Sequence, residues 1–324
     1  MEVRGMSEVL RWCFLLLLLM PYSRGQAQAD IPAVPDFFPQ IHGDLTKVTW
    51  AHAVNSMALL MEALEGNVMM LEADVVLGTL VDSPEDILPI MGHPPANTSD
   101  ISLEQFLDHI VEKRSKGIKL DFKTTEAFKA SLPVLGKFKD KMTFPVWLNA
   151  DILQGPVESE KTPVDADAFL YACRTIFPQV TLSVGWTTLY GSDADYVPPK
   201  NSPPAYSQRH VLDMLDALRM NSVSQPVTFP VRAGLAANSP DPMIELIGSE
   251  SNGNTLTIWS AKDDPVNVPA LKSLMDRIGR KRIYVDVPEP LERQLTGGVG
   301  SIFHPAPLAL GLIFASLSLL LKLR

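Results

Sequence analysis

Val68-Met-Met-Leu-Glu-Ala-Asp-Val-Val-Leu77 reads as a β-rich run in which two carboxylates interrupt an otherwise apolar stretch. Glu72 and Asp74 are two positions apart, so on a strand both side chains point the same way. Similar short runs recur near 47–52, 117–123, 142–149, 180–187, 226–233, 254–260 and 282–287. Between them lie stretches with helical spacing of apolar residues, at 53–64, 102–113, 125–138, 165–177, 206–220, 240–248 and 266–278. Strands separated by helices pair in parallel through right-handed crossovers. Eight strands in about 245 residues predict an α/β fold with a single (β/α)₈ barrel. An open doubly wound sheet would want a glycine-rich loop after its first strand, where Trp50-Ala-His-Ala-Val-Asn-Ser56 stands instead.

The ends carry a different signal. Arg4 and Arg11 precede an apolar run at 12–20, followed by Gly25, Ala27 and Ala29, so 1–29 reads as a secretory signal peptide. A lead-in at 30–44 and the barrel domain at 45–292 follow, then a small-residue stalk at 293–307. The last segment, 308–324, is apolar and closes on Lys322 and Arg324. It reads either as a lipid-anchor signal or as one spanning helix with a basic stub. Both place the folded domain in the secretory pathway and at the cell surface, held to a membrane by its tail. Cys13 and Cys173 are the only cysteines, and Cys13 lies in the signal, so the core must hold without an internal disulfide. A net charge of −9 with no basic cluster in the domain argues against nucleic acid. Asn97-Thr98-Ser99 is a glycosylation acceptor, consistent with a surface loop.

In an eight-fold barrel the reacting groups sit at the carboxyl ends of the strands. Read in order, those ends give His52, then Glu72 and Asp74, then His93 in the loop beyond the second strand, then Asp121 and Lys123. Two like charges in a barrel mouth are costly unless a proton or cation intervenes, and a hard divalent ion suits oxygen ligands. Asp121, at the matching level of the next strand, completes such a set. The competing arrangement pairs these carboxylates with Lys119 and Lys123. His52 and His93 flanking a cation–phosphate site suit general acid–base work, one removing a proton and the other supplying one. Lys123 and Arg232 are placed to hold phosphate oxygens. Asn149 ends the fourth strand and Trp259 lies in the seventh, where the indole could wall an apolar group. Barrel packing for the tryptophans and a salt bridge for Arg232 are the alternatives. His42, His109 and His210 lie away from strand ends and are given no role.

Taken together, Trp50-Ala-His-Ala-Val-Asn-Ser56, Leu71-Glu-Ala-Asp-Val75, Gly92-His93 and Lys119-Leu-Asp-Phe-Lys-Thr124 resemble the menorin family. Trp147-Leu-Asn-Ala-Asp151 and Val231-Arg-Ala-Gly234 extend the likeness over about 45–292. Menorin domains are in turn similar to glycerophosphodiester phosphodiesterases and to spider-venom sphingomyelinase D enzymes. The resemblance implies His52 and His93 as the acid–base pair, magnesium or calcium on Glu72, Asp74 and Asp121, and Lys123 neutralising phosphate. It thereby implies a metal-dependent phosphodiesterase acting on glycerophosphodiesters or phospholipid headgroups. The chain departs from glycerophosphodiesterases in carrying Ala53, not arginine, after the first histidine, and from the venom enzymes in lacking cysteines near the second. The family is also associated with extracellular roles in neuronal development. The same scaffold therefore also implies a second function class, a non-enzymatic adhesion or ligand module with extracellular protein partners.

Overall fold

The computed structural model describes residues 30–248 and 253–297. The expected signal peptide, most of the stalk and the apolar tail lie outside the described residues. Ten strands form one sheet: β1 (Trp50–Ala51), β2 (Met70–Leu80), β3 (Ser83–Met91), β4 (Thr98–Ser99), β5 (Gly117–Phe122), β6 (Val146–Gln154), β7 (Thr181–Thr187), β8 (Val227–Arg232), β9 (Thr255–Trp259) and β10 (Ile283–Asp286). Eight of them run in parallel in the order β1-β2-β5-β6-β7-β8-β9-β10. After each of these eight comes a main helix: α1 (Met57–Glu65), α2 (Leu103–Lys113), α3 (Thr125–Phe138), α4 (Ala166–Ile176), α5 (Gln208–Met220), α6 (Pro240–Gly248), α7 (Val268–Ile278) and α8 (Glu289–Thr296). This is the expected α/β fold, a nearly closed parallel eight-stranded barrel.

Aromatic rings pack across the last join of the ring, Trp50 against Tyr284. No strand ladder joins β10 to β1 among the described residues. At the amino-terminal end of the bore, Trp147 packs between Trp50 and Tyr284, with ring centroids 5.4 and 4.8 Å away. Phe38, Ile41, Leu45 and Val48 cover this end from the lead-in, and Met70 joins them. Trp147 is therefore packing, at the end opposite the strand-end carboxylates.

Three boundaries differ from expectation. The first helix starts at Met57, capped by the Ser56 hydroxyl, because Ala53 turns left-handed (φ 55°) and ends the preceding turn. β2 runs on to Leu80 and folds back as an antiparallel hairpin, pairing Val75 with Met91 and Leu77 with Pro89. The prolines of Ser83-Pro-Glu-Asp-Ile-Leu-Pro-Ile-Met91 hide that strand, since proline is tolerated only where a ladder donor is not needed, as on an edge. Gly78 in β2 is obligatory: a Cβ there would stand 2.3 Å from the Asn97 carbonyl oxygen. Finally, α8 runs to Thr296 and buries Leu295, so 293–296 belong to the domain and not to a stalk. Among the described residues no helix is long and apolar enough to cross a membrane.

Candidate active site at the barrel mouth

Strand alternation sends one set of residues inward from each strand. β2 contributes Met70, Glu72 and Asp74 in ascending order, β5 Lys119 and Asp121, and β6 Trp147, Asn149 and Asp151. The ladder register puts Glu72 beside Lys119, Asp74 beside Asp121, and Asp121 beside Asn149. Along β6 the bore thus changes from aromatic to polar within two residues.

The turn after β1 is stitched onto β2. Its left-handed residue aims the Ala53 amide at Glu72 Oε2 (2.8 Å), and the Val54 amide donates to the Glu72 carbonyl (2.9 Å). Asn55 bonds twice to Asp74: its Nδ2 donates to Oδ2 (2.7 Å), and its Oδ1 accepts from the Asp74 amide (2.8 Å). This clamp fixes His52, whose Nδ1 lies 3.2 Å from Asp286 Oδ2 and 3.4 Å from Glu72 Oε2. The His52 ring is 46% exposed at the mouth. Burial alone would lower its pKa, but the charges of Glu72 and Asp286 override that and raise it to about 10.

Glu72, Asp74 and Asp121 converge. Each offers an oxygen, and the three atoms lie within 4.8 Å of one another. Burial pushes Glu72 up to about 7; the nearby His52 charge works against this and the Asp74 charge reinforces it. Asp74 is held down to about 2, because Lys123, His93 and the Asn55 hydrogen bond outweigh its burial. Lys123 Nζ sits 2.6 Å from Asp74 Oδ1 and 2.5 Å from Asp121 Oδ2. Their charges hold this ammonium well above an ordinary lysine pKa despite its burial. Asn149 Nδ2 donates to the other Asp121 oxygen (2.6 Å) and is steadied by the Ser183 hydroxyl (2.6 Å). Of the two arrangements left open by the sequence, the lysine pairing is present on Asp74 and Asp121. The cluster still suits a hard cation, since its three converging ligand atoms are all carboxylate oxygens.

His93 stands exposed at the rim, after β3 rather than directly after β2. The Gly92 amide donates to the Asp74 carbonyl (2.9 Å), which anchors the turn. His93 Nδ1 lies 2.8 Å from the Pro94 carbonyl oxygen. A carbonyl oxygen only accepts, so Nδ1 is the donor in this contact and Nε2 is the nitrogen left for other partners. His52, His93, the three carboxylates, Lys123, Asn149 and Trp259 line one cavity of about 170 Å³.

Arg232 is not among them. Its guanidinium is buried, with Nε 2.7 Å from Asp264 Oδ2 and Nη1 2.5 Å from Asp193 Oδ2. It lies 5.1 Å from the Trp259 ring centroid. The expected phosphate contact is thereby corrected to a salt bridge that ties two loops together and braces Trp259. Asp286 and Lys161, which the sequence did not single out, join the site together with Lys119 and Asp151. Asp286 orients His52, Lys119 Nζ lies 4.0 Å from Asp286, and Asp151 and Lys161 line the far wall. Burial and the Asp121 charge push Asp151 up to about 7. The alternation Trp147, Asn149, Asp151 already aimed Asp151 inward. Asp286 gave no such signal, lying 234 residues from its partner.

The model of the Menorin N-terminal domain matches residues 44–292. Human Protein FAM151B is 38% identical over 257 residues, which cover 79% of this chain and 88% of that protein. Among solved structures, a glycerophosphodiester phosphodiesterase from Parabacteroides distasonis is similar at TM-score 0.44 and 12% identity, over 76% of this chain and 96% of that one. A chitinase catalytic domain from Pyrococcus furiosus is similar at TM-score 0.42 and 15% identity, over 81% and 85%. A calcium-dependent phosphoinositol-specific phospholipase C from Pseudomonas sp. follows at 0.38 and 12%, over 83% and 96%. The chemistries of these barrels differ, and their likeness carries no argument about this site.

Proposed function

The chain belongs to the menorin family, and from that premise we propose that it is a metal-dependent phosphodiesterase, acting outside the cell on glycerophosphodiesters or phospholipid headgroups. The observation that carries this reading is the meeting of three carboxylate oxygens within 4.8 Å in a cavity that both imidazoles line. Glu72, Asp74 and Asp121 would hold magnesium or calcium, which supplies Lewis-acid polarisation of a phosphoryl oxygen. Lys123 donates to a non-bridging oxygen of the diester. His52, charged at neutral pH and steered through Nδ1 by Asp286, gives a proton from Nε2 to the leaving oxygen. His93, with Nδ1 engaged by Pro94, takes the proton of the attacking hydroxyl or water at Nε2. Asn149 keeps Asp121 aligned, and Trp259 walls the cavity.

The reading also takes the chain to the cell surface, through the amino-terminal signal and the apolar tail. Asn97 is exposed, four residues from His93, and is the expected glycan site. A second reading, an adhesion or ligand module, is favoured by one observation. Lys123 already satisfies Asp74 and Asp121, so the cluster is tolerable to the fold without chemistry.

Cleavage of a panel of phosphodiesters by the purified chain, with magnesium, calcium or chelator, separates the two. Activity should be lost in chelator and fall at least about 100-fold in His52→Ala and in His93→Ala. Cleavage that survives chelator and both substitutions overturns the metal and histidine assignments, and no cleavage of any diester by the native chain sinks the enzyme.

A further inference from the structure

Beside the reaction cavity lies a second, larger cleft of about 810 Å³, and His52 and Asp286 form part of its wall. The loop after β9 contributes Val266 and α7 begins it with Val268; the segment after β10 contributes Val287, Pro288, Pro290 and Leu291. We propose that this cleft seats an apolar arm of the substrate, so that the chain acts on phosphodiesters in which one ester carries a hydrocarbon chain. The proposal rests on the phosphodiesterase reading and narrows it to lipid-like diesters.

Three features support it. The reaction cavity, at about 170 Å³, holds a phosphoryl group and few further atoms, whereas sites that bury whole small ligands run to roughly 300–1,000 Å³. The remainder of a substrate must leave that cavity, and the larger cleft adjoins it across the His52 ring. Val266, Val268, Val287, Pro288, Pro290 and Leu291 give the mixed wall of the cleft an apolar share, which rewards hydrocarbon. Its charged members are Asp263, Asp264, Asp286 and Glu289 against Lys262 and His52. The excess of carboxylates makes a second phosphate unwelcome there.

The test compares glycerophosphocholine with hexyl-, octyl- and dodecylphosphocholine, phosphodiesters that share the choline arm and differ in the other. Binding to the full chain is measured by calorimetry below micelle-forming concentrations, and turnover by phosphorus NMR. Affinity should rise about threefold for each methylene buried, until the cleft is filled. Leu291→Trp, which fills the cleft from α8, should flatten the series and leave glycerophosphocholine within about twofold. Val268→Trp does the same from α7, should the first variant fail to fold. Affinity that ignores chain length, or that keeps its dependence in both filled variants, overturns the proposal. Chain-dependent binding with no turnover of any diester removes the phosphodiesterase reading and leaves the cleft. Turnover of all four with equal KM removes the cleft and leaves the reading.

Discussion

The two ends of the barrel bore are built from the same strands and do opposite things. At the amino-terminal end, Trp50, Met70, Trp147 and Tyr284 meet in a closed aromatic plug under the lead-in segment. Two residues further along the same strands stand His52, Glu72, Asn149 and Asp286. Burial stabilises the first group, since aromatic side chains bring large apolar area and edge-to-face contacts. It penalises the second, where Glu72 and Asp151 are pushed up to about 7 by the same withdrawal of water. The strand pleat keeps these layers a few ångströms apart without mixing them. One end holds the fold, and the other stores charge that the fold must tolerate.

The largest expected effect contrasts the ends directly. Glu72→Gln should cut phosphodiester turnover about a thousandfold while leaving thermal stability equal or higher, since it removes a buried charge. Trp147→Ala should cost about 3–5 kcal/mol of stability by chemical denaturation, with activity per folded molecule largely retained. An inactive but stable Trp147→Ala chain would break the division between the two ends.

Next comes the cation balance. Lys123→Met leaves Asp74 and Asp121 without their ammonium and should destabilise the chain by about 3 kcal/mol. Millimolar calcium or magnesium should raise the melting temperature of the native chain, and raise that of Lys123→Met further. Melting temperatures indifferent to both metals in both chains would remove the metal assignment.

Asp286→Asn should reduce kcat about 100-fold by loosening His52. Asp286 raises the His52 pKa, so its loss should also move the alkaline limb of the pH–rate profile to lower pH. An unchanged limb would leave Asp286 a packing residue.

The smallest effect concerns Asp151, whose carboxyl rises from 3.8 to about 7 on folding. Below pH 4 it is protonated in both folded and unfolded chains and costs nothing. Between pH 4 and 7 the unfolded chain ionises first, so stability falls as pH rises, and the full penalty stands above 7. Asp151→Asn should therefore raise the melting temperature at pH 8 and leave it unchanged at pH 4. An equal gain at both values would assign the effect to packing.

Much of this contrast was legible in sequence. Strand spacing exposed the eight-fold repeat, and two-residue alternation put Glu72 with Asp74 and Asp121 with Lys123 on inward faces. What escaped was set by partners distant along the chain. Nothing local distinguishes an Arg232 that grips phosphate from one gripped by Asp193 and Asp264, which arrive from separate loops. Asp286 is a lone acid on a four-residue strand, given meaning only when ring closure brings it to His52. The β3 strand carries two prolines, so its propensity argues against the structure it adopts.

The unladdered join of β10 to β1 has a mechanical consequence. Elsewhere strand ladders hold the wall together, but among the described residues no ladder crosses this seam, where ring packing of Trp50 on Tyr284 resists opening. The His52–Asp286 pair spans it, so a molecule grasped by both would act as a clasp on the staves. Amide exchange in the two bordering segments should slow when the mouth is filled, at a distance from any residue the occupant touches.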